Sequence, residues 1–316
     1  MIFLFGSARS GSTWLGKIFD SHPDLLYLHE PDIPDRGTDL IPFWFAAEPT
    51  QAEIGNAGTY LNRLAAARNT RTIGIRPFFA KNYRGAVAEA VHRSLIYGAK
   101  SLERLGLDHL AGSVTIPDLA RKGKTPRLVI KSVSALGRAE AFLEADASVS
   151  PVLLIRHPCA YVASMLRGKK VGGMSTTGGL GRLAATRAAT RLKLEPQALD
   201  GADEVTLLSW AWLLSNAEAY PAIRRANGTI LIYEELAADP VRHIKNLFAR
   251  LALGWPDETA DFLARSQESE GDYYSVFRDS SKSVGRWRDE LDRGTVDTIR
   301  AIVGRDPIGA QFFSDH

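Results

Sequence analysis

Residues 1–19 read MIFLFGSARSGSTWLGKIF, and this stretch decides the fold. Ile2 to Phe5 is a short, wholly apolar run of the kind a strand buried on both faces makes. After Gly11 the apolar residues Trp14, Leu15, Ile18 and Phe19 recur at helical spacing, and Asp20-Ser21-His22-Pro23 stops that helix. The link between them, Gly6 to Thr13, has glycine at both ends. The backbone can therefore curl so that several N–H groups and the helix N-terminus face one anion, with the Ser12 and Thr13 hydroxyls as further donors. The Gly6-x4-Gly11 spacing equals that of a Walker A loop, but Ser12 stands where an NTPase carries lysine. That substitution argues against an ATP or GTP hydrolase and for a ligand that places one phosphate in the loop, with Arg9 supplying positive charge. The bland alternative is a Gly/Ser-rich turn that binds nothing, and the strand–loop–helix order weighs against it.

Outward from this unit, Leu25 to Leu28, Leu128 to Val133, Val152 to Ile155 and Ile230 to Tyr233 are further apolar runs. Helical patterns lie between them. Trp210, Leu213, Leu214 and Ala217 share one helix face; Asp239 as N-cap and Pro240 at the first helical position open a helix carrying Val241, Ile244, Leu247, Phe248 and Leu251. The alternation predicts an α/β, P-loop-like three-layer fold with a central parallel sheet flanked by helices. Residues 1–316 read as one domain with two excursions. One is a mainly helical insertion at 32–126, with helices expected at Ile41 to Ala47, Thr59 to Arg68 and Arg84 to Leu105. The other, 167–204, is rich in Gly, Thr, Ala and Arg and long enough for a mobile lid or substrate segment.

Composition narrows the class without choosing a reaction. With 45% hydrophobic and 24% charged residues the chain reads as globular, and 39 Lys+Arg against 36 Asp+Glu leaves no bulk charge for general nucleic-acid binding. A lone Cys159 excludes an internal disulfide framework and fits a reducing compartment. The first residues have the character of a strand rather than a signal peptide, and no run approaches the roughly 18 apolar residues of a spanning helix. The expected location is cytoplasmic, without integral membrane association. Neither the histidines and Cys159 nor any Asp cluster has metal-ligand spacing, so no metal is implied.

A second anion site is legible in Val152 to Leu166, VLLIRHPCAYVASML. Arg156 ends a strand, and Ser164 lies two turns into the helix entered after Pro158. A guanidinium and a hydroxyl so placed can converge on one phosphate at the strand ends, where open α/β sheets bind ligands.

With both sites in view, a family resemblance appears. GSARSGSTWLGKIF resembles the 5′-phosphosulfate loop of sulfotransferases that use 3′-phosphoadenylyl sulfate (PAPS). Val152 to Leu166 resembles their 3′-phosphate motif. The resemblance implies that Arg9 meets the bridging oxygen and departing phosphate, that Ser10, Gly11, Ser12 and Thr13 cradle the 5′-phosphate beside Trp14, and that Arg156 and Ser164 hold the 3′-phosphate. Ile232 to Pro240, IYEELAADP, is similar to the family's Tyr-Glu-Asp-Leu segment, which puts Tyr233 near the adenine. Ser281 to Leu291, SKSVGRWRDEL, resembles the segment folded over the nucleotide (281–291), with Arg286 and Trp287 as contacts and Lys282 as a weaker choice. Ile130-Lys131-Ser132 follows the family's strand-end Lys-Ser pattern. In all, the likeness covers residues 1–31, 127–170 and 205–291.

Sulfuryl transfer needs cations around the leaving phosphate and one base for the acceptor proton. Leu28-His29-Glu30-Pro31 ends the second strand, and family members with Glu-Pro here use the glutamate as base, so Glu30 takes that role. His29 is the competitor for that role, but strand alternation should point it away from Glu30, which leaves it packing or supporting the site from behind. Arg9 with Glu30 looks more like the carbohydrate, tyrosyl-protein and bacterial glycolipid branches than the cytosolic branch, which has Lys in the loop and a later histidine base. The implied reaction moves a sulfuryl group from PAPS to a hydroxyl or amine of a carbohydrate, glycolipid, natural product or protein tyrosine, releasing 3′,5′-adenosine bisphosphate (PAP). The alternatives are a P-loop-type nucleotide or small-molecule kinase and a non-catalytic PAP-binding protein. In the unmatched excursions, Phe43, Trp44, Phe45, Phe78, Phe79 and Tyr83 are candidates to stack on an acceptor or to form a helical core. Arg167, Lys169, Lys170, Arg182, Arg187, Arg191 and Lys193 are candidates to grip an acidic acceptor or to be merely solvated. A homodimer through the insertion is compatible with this reading.

Overall fold

The computed structural model describes residues 1–33, 37–170, 180–268 and 284–314. Five strands, β1 (Ile2–Gly6), β2 (Leu25–His29), β3 (Arg127–Ser132), β4 (Ser150–Ile155) and β5 (Thr229–Ile232), form one parallel sheet in the order β2-β3-β1-β4-β5. Alternation along each strand feeds two apolar layers. Phe3, Phe5, Leu153 and Ile155 face the Gln51–Ala66, Pro158–Lys170 and Glu204–Arg225 helices. Ile2, Leu4, Val152 and Leu154 face the Ser12–Ser21, Pro240–Arg250 and Asp257–Glu268 helices. Each fully buried Leu, Ile or Phe contributes roughly 1.5–3 kcal/mol, which is why wholly apolar runs mark these strands. The chain leaves β1 toward one edge of the sheet and β4 toward the other, so a crevice opens above their C-terminal ends.

The insertion departs from expectation at Ile41 to Ala47, which is bent chain rather than helix. Ile41 and Phe45 are both buried, so the helical-looking period is satisfied without a helix. The fully buried Arg138 donates to the carbonyls of Ile41 (3.0 Å) and Pro42 (2.9 Å) and lies over the Phe43 ring, occupying the acceptors a helix would have used internally. The other two helices form at Gln51–Ala66, opened by a Thr50/Glu53 capping box, and at Ala86–Arg104. Val241 is a smaller correction, being 40% exposed while the rest of its predicted face is buried.

Of the segment expected to act as a lid, residues 171–179 lie outside the described residues. The Arg187–Arg191 helix that follows is docked on the Glu204–Arg225 helix, where Glu218 accepts from the Ala188 N–H at 2.5 Å and pairs with Arg187. No helix of the described residues is long and apolar enough to cross a membrane.

Candidate functional site

The C-terminal ends of all five strands meet at one crevice, and each brings a residue to it. β1 ends in the loop Gly6 to Gly11. Gly11 sits at φ 91°, and a Cβ there would lie 2.4 Å from the Tyr233 ring, so both conformation and space require glycine. Arg9 is also left-handed (φ 65°), an unfavourable conformation for a side chain with a Cβ. It is held there from two sides: Arg156 donates to the Arg9 carbonyl at 2.9 Å, and Arg9 Nε donates to Ser164 Oγ at 3.0 Å. The Ser12–Ser21 helix starts at Gly11 with no side chain capping its first N–H groups. Ser10 Oγ, fully buried in the loop, has no hydrogen-bond partner. An uncapped helix start, a buried orphan hydroxyl and a glycine cradle are what a loop-bound phosphate would complete.

Arg156 closes β4. Its guanidinium lies 4.8 Å from the Tyr233 ring centre, and burial lowers its pKa from the usual arginine value. Trp212 Nε1 donates to its carbonyl at 2.9 Å. Tyr233 is the first residue of the Tyr233–Ala238 helix rather than the last of β5, a one-residue shift that turns its ring beneath Gly11 and Arg156. Trp14 packs edge-on to Tyr233 at 6.2 Å, and its Nε1 donates to Ser266 on the Asp257–Glu268 helix. The structure thus brings Arg9, Gly11, Trp14, Arg156, Ser164 and Tyr233 together, with the buried Ser12 at the start of the helix.

On the other side of the loop, β2 and β3 deliver Glu30 and Lys131. Lys131, 1% exposed, forms an ion pair with Glu30 and reaches Thr13 Oγ1 at 3.5 Å. The Glu30 N–H donates to the Lys131 carbonyl at 2.8 Å, so the two strand ends are locked in register. Ser132 Oγ donates to the buried Asp32 at 2.5 Å, and burial pushes the Asp32 carboxyl up. The expectation for His29 is corrected. Glu30 leaves the strand at φ 46°, alternation ends there, and His29 Nε2 comes within 3.9 Å of Glu30 Oε1. Burial, followed by the field of Lys131 and Lys17, drives the His29 pKa well below its usual value, so the imidazole is neutral at pH 7. Tyr27 Oη lies 2.9 Å from its Nδ1.

Arg286 and Trp287 lie further out. Trp287 is buried by stacking on His157 at 4.8 Å, directly after Arg156. Arg286 pairs with Glu290, which also pairs with Arg167, on the Ser164 helix. Lys282 lies outside the described residues. The proposed acidic-acceptor grip is largely spoken for within the protein: Arg167 by Glu290, Lys169 by Glu204, Arg187 by Glu140 and Glu218, and Arg191 by Asp306. Phe78, Phe79 and Tyr83 line a cavity of about 50 Å³ beside β2, together with Lys81 and Asp20. That volume has room for a few waters but not for a sugar ring.

In the sequence Lys131 is marked only by the strand-end Lys-Ser pattern, as a lysine directly after the apolar run 128–130. Trp212, which donates to the Arg156 carbonyl, carried no local signal, and Glu234, which accepts from the His157 N–H, lay within the Tyr-Glu-Asp-Leu-like segment without a role assigned to it.

A family model described as "Sulfotransferase family" matches residues 2–257. Carbohydrate sulfotransferase 2 of Homo sapiens is 22% identical over an alignment covering 92% of this chain and 61% of the relative, and the Mus musculus protein matches equally. The chain therefore spans about three-fifths of the length of these relatives. Among solved structures, mouse sulfotransferase SULT7A1 complexed with PAP is 14% identical at a TM-score of 0.45, covering 100% of this chain and 88% of that one. The sulfotransferase domain of the Synechococcus PCC 7002 olefin synthase is 17% identical at 0.43, covering 95% and 93%. The match over residues 2–257 takes in every strand and all of the site except the Arg286–Trp287 segment and Ser266, and it establishes that the chain belongs to the sulfotransferase family.

Proposed function

We propose that this protein transfers the sulfuryl group of PAPS to a hydroxyl or amine acceptor, with Glu30 as base and Arg9 as the cation at the leaving phosphate. The observation that carries the reading is the convergence of Arg9, Arg156 and Ser164 behind the Gly6–Gly11 loop. Arg156 donates to the Arg9 carbonyl and the Arg9 guanidinium donates to the Ser164 hydroxyl, and the two cations give a charge density suited to a nucleotide with separate 3′ and 5′ phosphates. Ser10, Ser12, Thr13 and the first N–H groups of the Ser12–Ser21 helix hold the 5′-phosphate. Arg156 and Ser164 take the 3′-phosphate, Tyr233 and Trp14 flank the adenine, and Arg286 closes the outer side.

In the reaction Glu30 accepts the acceptor proton while the acceptor oxygen or nitrogen bonds to sulfur. The bond from sulfur to the bridging oxygen breaks, and its electron pair stays on that oxygen as part of the 5′-phosphate of PAP. Arg9 meets the charge that develops there. Lys131, between Glu30 and Thr13, holds the carboxylate through its ion pair and aims it at the loop. The acceptor classes compatible with a Glu base are carbohydrates, glycolipids, natural products and protein tyrosines. Calorimetric titration with PAP, with ATP and 5′-AMP as controls, tests the donor reading. Tight PAP binding that R156A abolishes supports it, and equal affinity for all three nucleotides overturns it.

A further inference from the structure

The mechanism above leaves Glu234 unused, although it lies against the 3′-phosphate side of the site. Its carboxylate accepts the His157 N–H with both oxygens, at 3.2 and 3.1 Å, across the gap between the start of the Tyr233–Ala238 helix and the end of β4. The Arg156–His157 turn is held on its other sides as well. Trp212 donates to the Arg156 carbonyl at 2.9 Å, Trp287 stacks on the His157 ring, and the Cys159 N–H donates to His157 Nδ1 at 3.1 Å. Of these contacts, only the one from Glu234 comes from the segment that also places Tyr233 under Gly11 and Arg156.

We infer that Glu234 is a positioning residue for recognition of the nucleotide's 3′-phosphate, holding the Arg156–His157 turn so that the Arg156 guanidinium faces both the Tyr233 ring and the loop. This rests on the PAPS reading of the site. Glu234 touches no reacting atom and acts through Arg156. A carboxylate is suited to the task because both of its oxygens can accept from the one backbone donor. Burial pushes its pKa up to about 7, with Arg156 at the end of β4 opposing the shift and Glu235 on its own helix adding to it.

The experiment is calorimetric titration of wild type, E234A, E234Q and E234D with PAP and with 5′-AMP, which lacks the 3′-phosphate. E234A removes both carboxylate acceptors from the His157 N–H and should weaken PAP binding about tenfold while changing 5′-AMP binding less than about twofold. E234Q keeps a carbonyl acceptor and should stay within about threefold of wild type for PAP at pH 7. The ratio of wild-type to E234Q affinity for PAP should also fall between pH 6 and pH 8, because the carboxylate that ionises beside Arg156 is present only in wild type. If E234A fails to fold, E234D serves instead and should show a smaller loss confined to PAP. Equal losses for PAP and 5′-AMP, or an unchanged PAP to 5′-AMP ratio in E234A, would overturn the inference. A wild type with no preference for PAP would instead overturn the nucleotide reading beneath it, which separates the two failures.

Discussion

Glu30→Gln strikes both the chemistry and the fold, and the structure says how to separate them. Lys131 is 1% exposed and Glu30 is its ion-pair partner, so neutralising Glu30 leaves a lysine charge in the protein interior. Removing one partner of a buried pair costs about 3–5 kcal/mol. Part of that is recovered here, because burial already lowers the Lys131 pKa and the amine can shed its proton, and because the Gln carbonyl still accepts a hydrogen bond. At roughly 2–3 °C per kcal/mol, the melting temperature of E30Q should fall by up to roughly 6–15 °C. Loss of the base should lower turnover by about 10²–10⁴-fold. The double variant E30Q/K131M removes both charges and replaces the pair with an apolar stem of similar length, so it should recover most of the melting temperature and none of the turnover. Differential scanning fluorimetry and a labelled-PAPS transfer assay on the same preparations read the two effects. Turnover that returns in the double variant, or persists in E30Q, would show that Glu30 serves only as a counter-ion.

Arg9→Ala should cost at least about 10²-fold in turnover at saturating PAPS if the guanidinium meets charge on the leaving phosphate; weaker PAPS binding with intact turnover would make it an anchor. Gly11→Ala puts a methyl 2.4 Å from the Tyr233 ring at φ 91° and should abolish PAP binding, measured by calorimetry; a folded G11A with normal affinity would contradict the close packing of loop and ring. Trp212→Phe deletes the donor to the Arg156 carbonyl and should cost about 1–3 kcal/mol in chemical denaturation, and no loss would mean that another donor takes its place. Because the folded pKa of Glu234 is raised to about 7 from 4.5, its favourable contribution is complete below about pH 4.5 and is lost as pH rises through 7. Wild type should therefore lose stability relative to E234Q between pH 5 and pH 8, and parallel melting curves for the two across that range would contradict the shift.

Much of this protein was legible before its structure, for local reasons. A buried parallel strand must be apolar on both faces, so four-to-six-residue apolar runs marked β1 to β5 to within a residue or two. Glycines at both ends marked the curled Gly6–Gly11 loop, and Arg156 and Ser164 fell at a strand end and a helix turn whose side chains reach it. Failures came where a local pattern had two physical solutions. The spacing of Ile41 and Phe45 suits a helix, but a bent chain buries both once Arg138, far away in sequence, takes its carbonyls. Alternation placed His29 away from Glu30 only so long as the strand continued, and the left-handed backbone at Glu30 ended it.

By itself the sequence determined the layer architecture and the family, because these depend on side-chain periodicity and on residues close together in the chain. Only the tertiary structure decided that Lys131 is the ion partner of Glu30, that the Tyr233 ring packs against Gly11, and that Trp212 and Glu234 hold the peptide between Arg156 and His157. Those contacts join residues from 56 to more than 200 positions apart. Long-range pairing of that kind is set by how the strands stack side by side, and no local spacing encodes it.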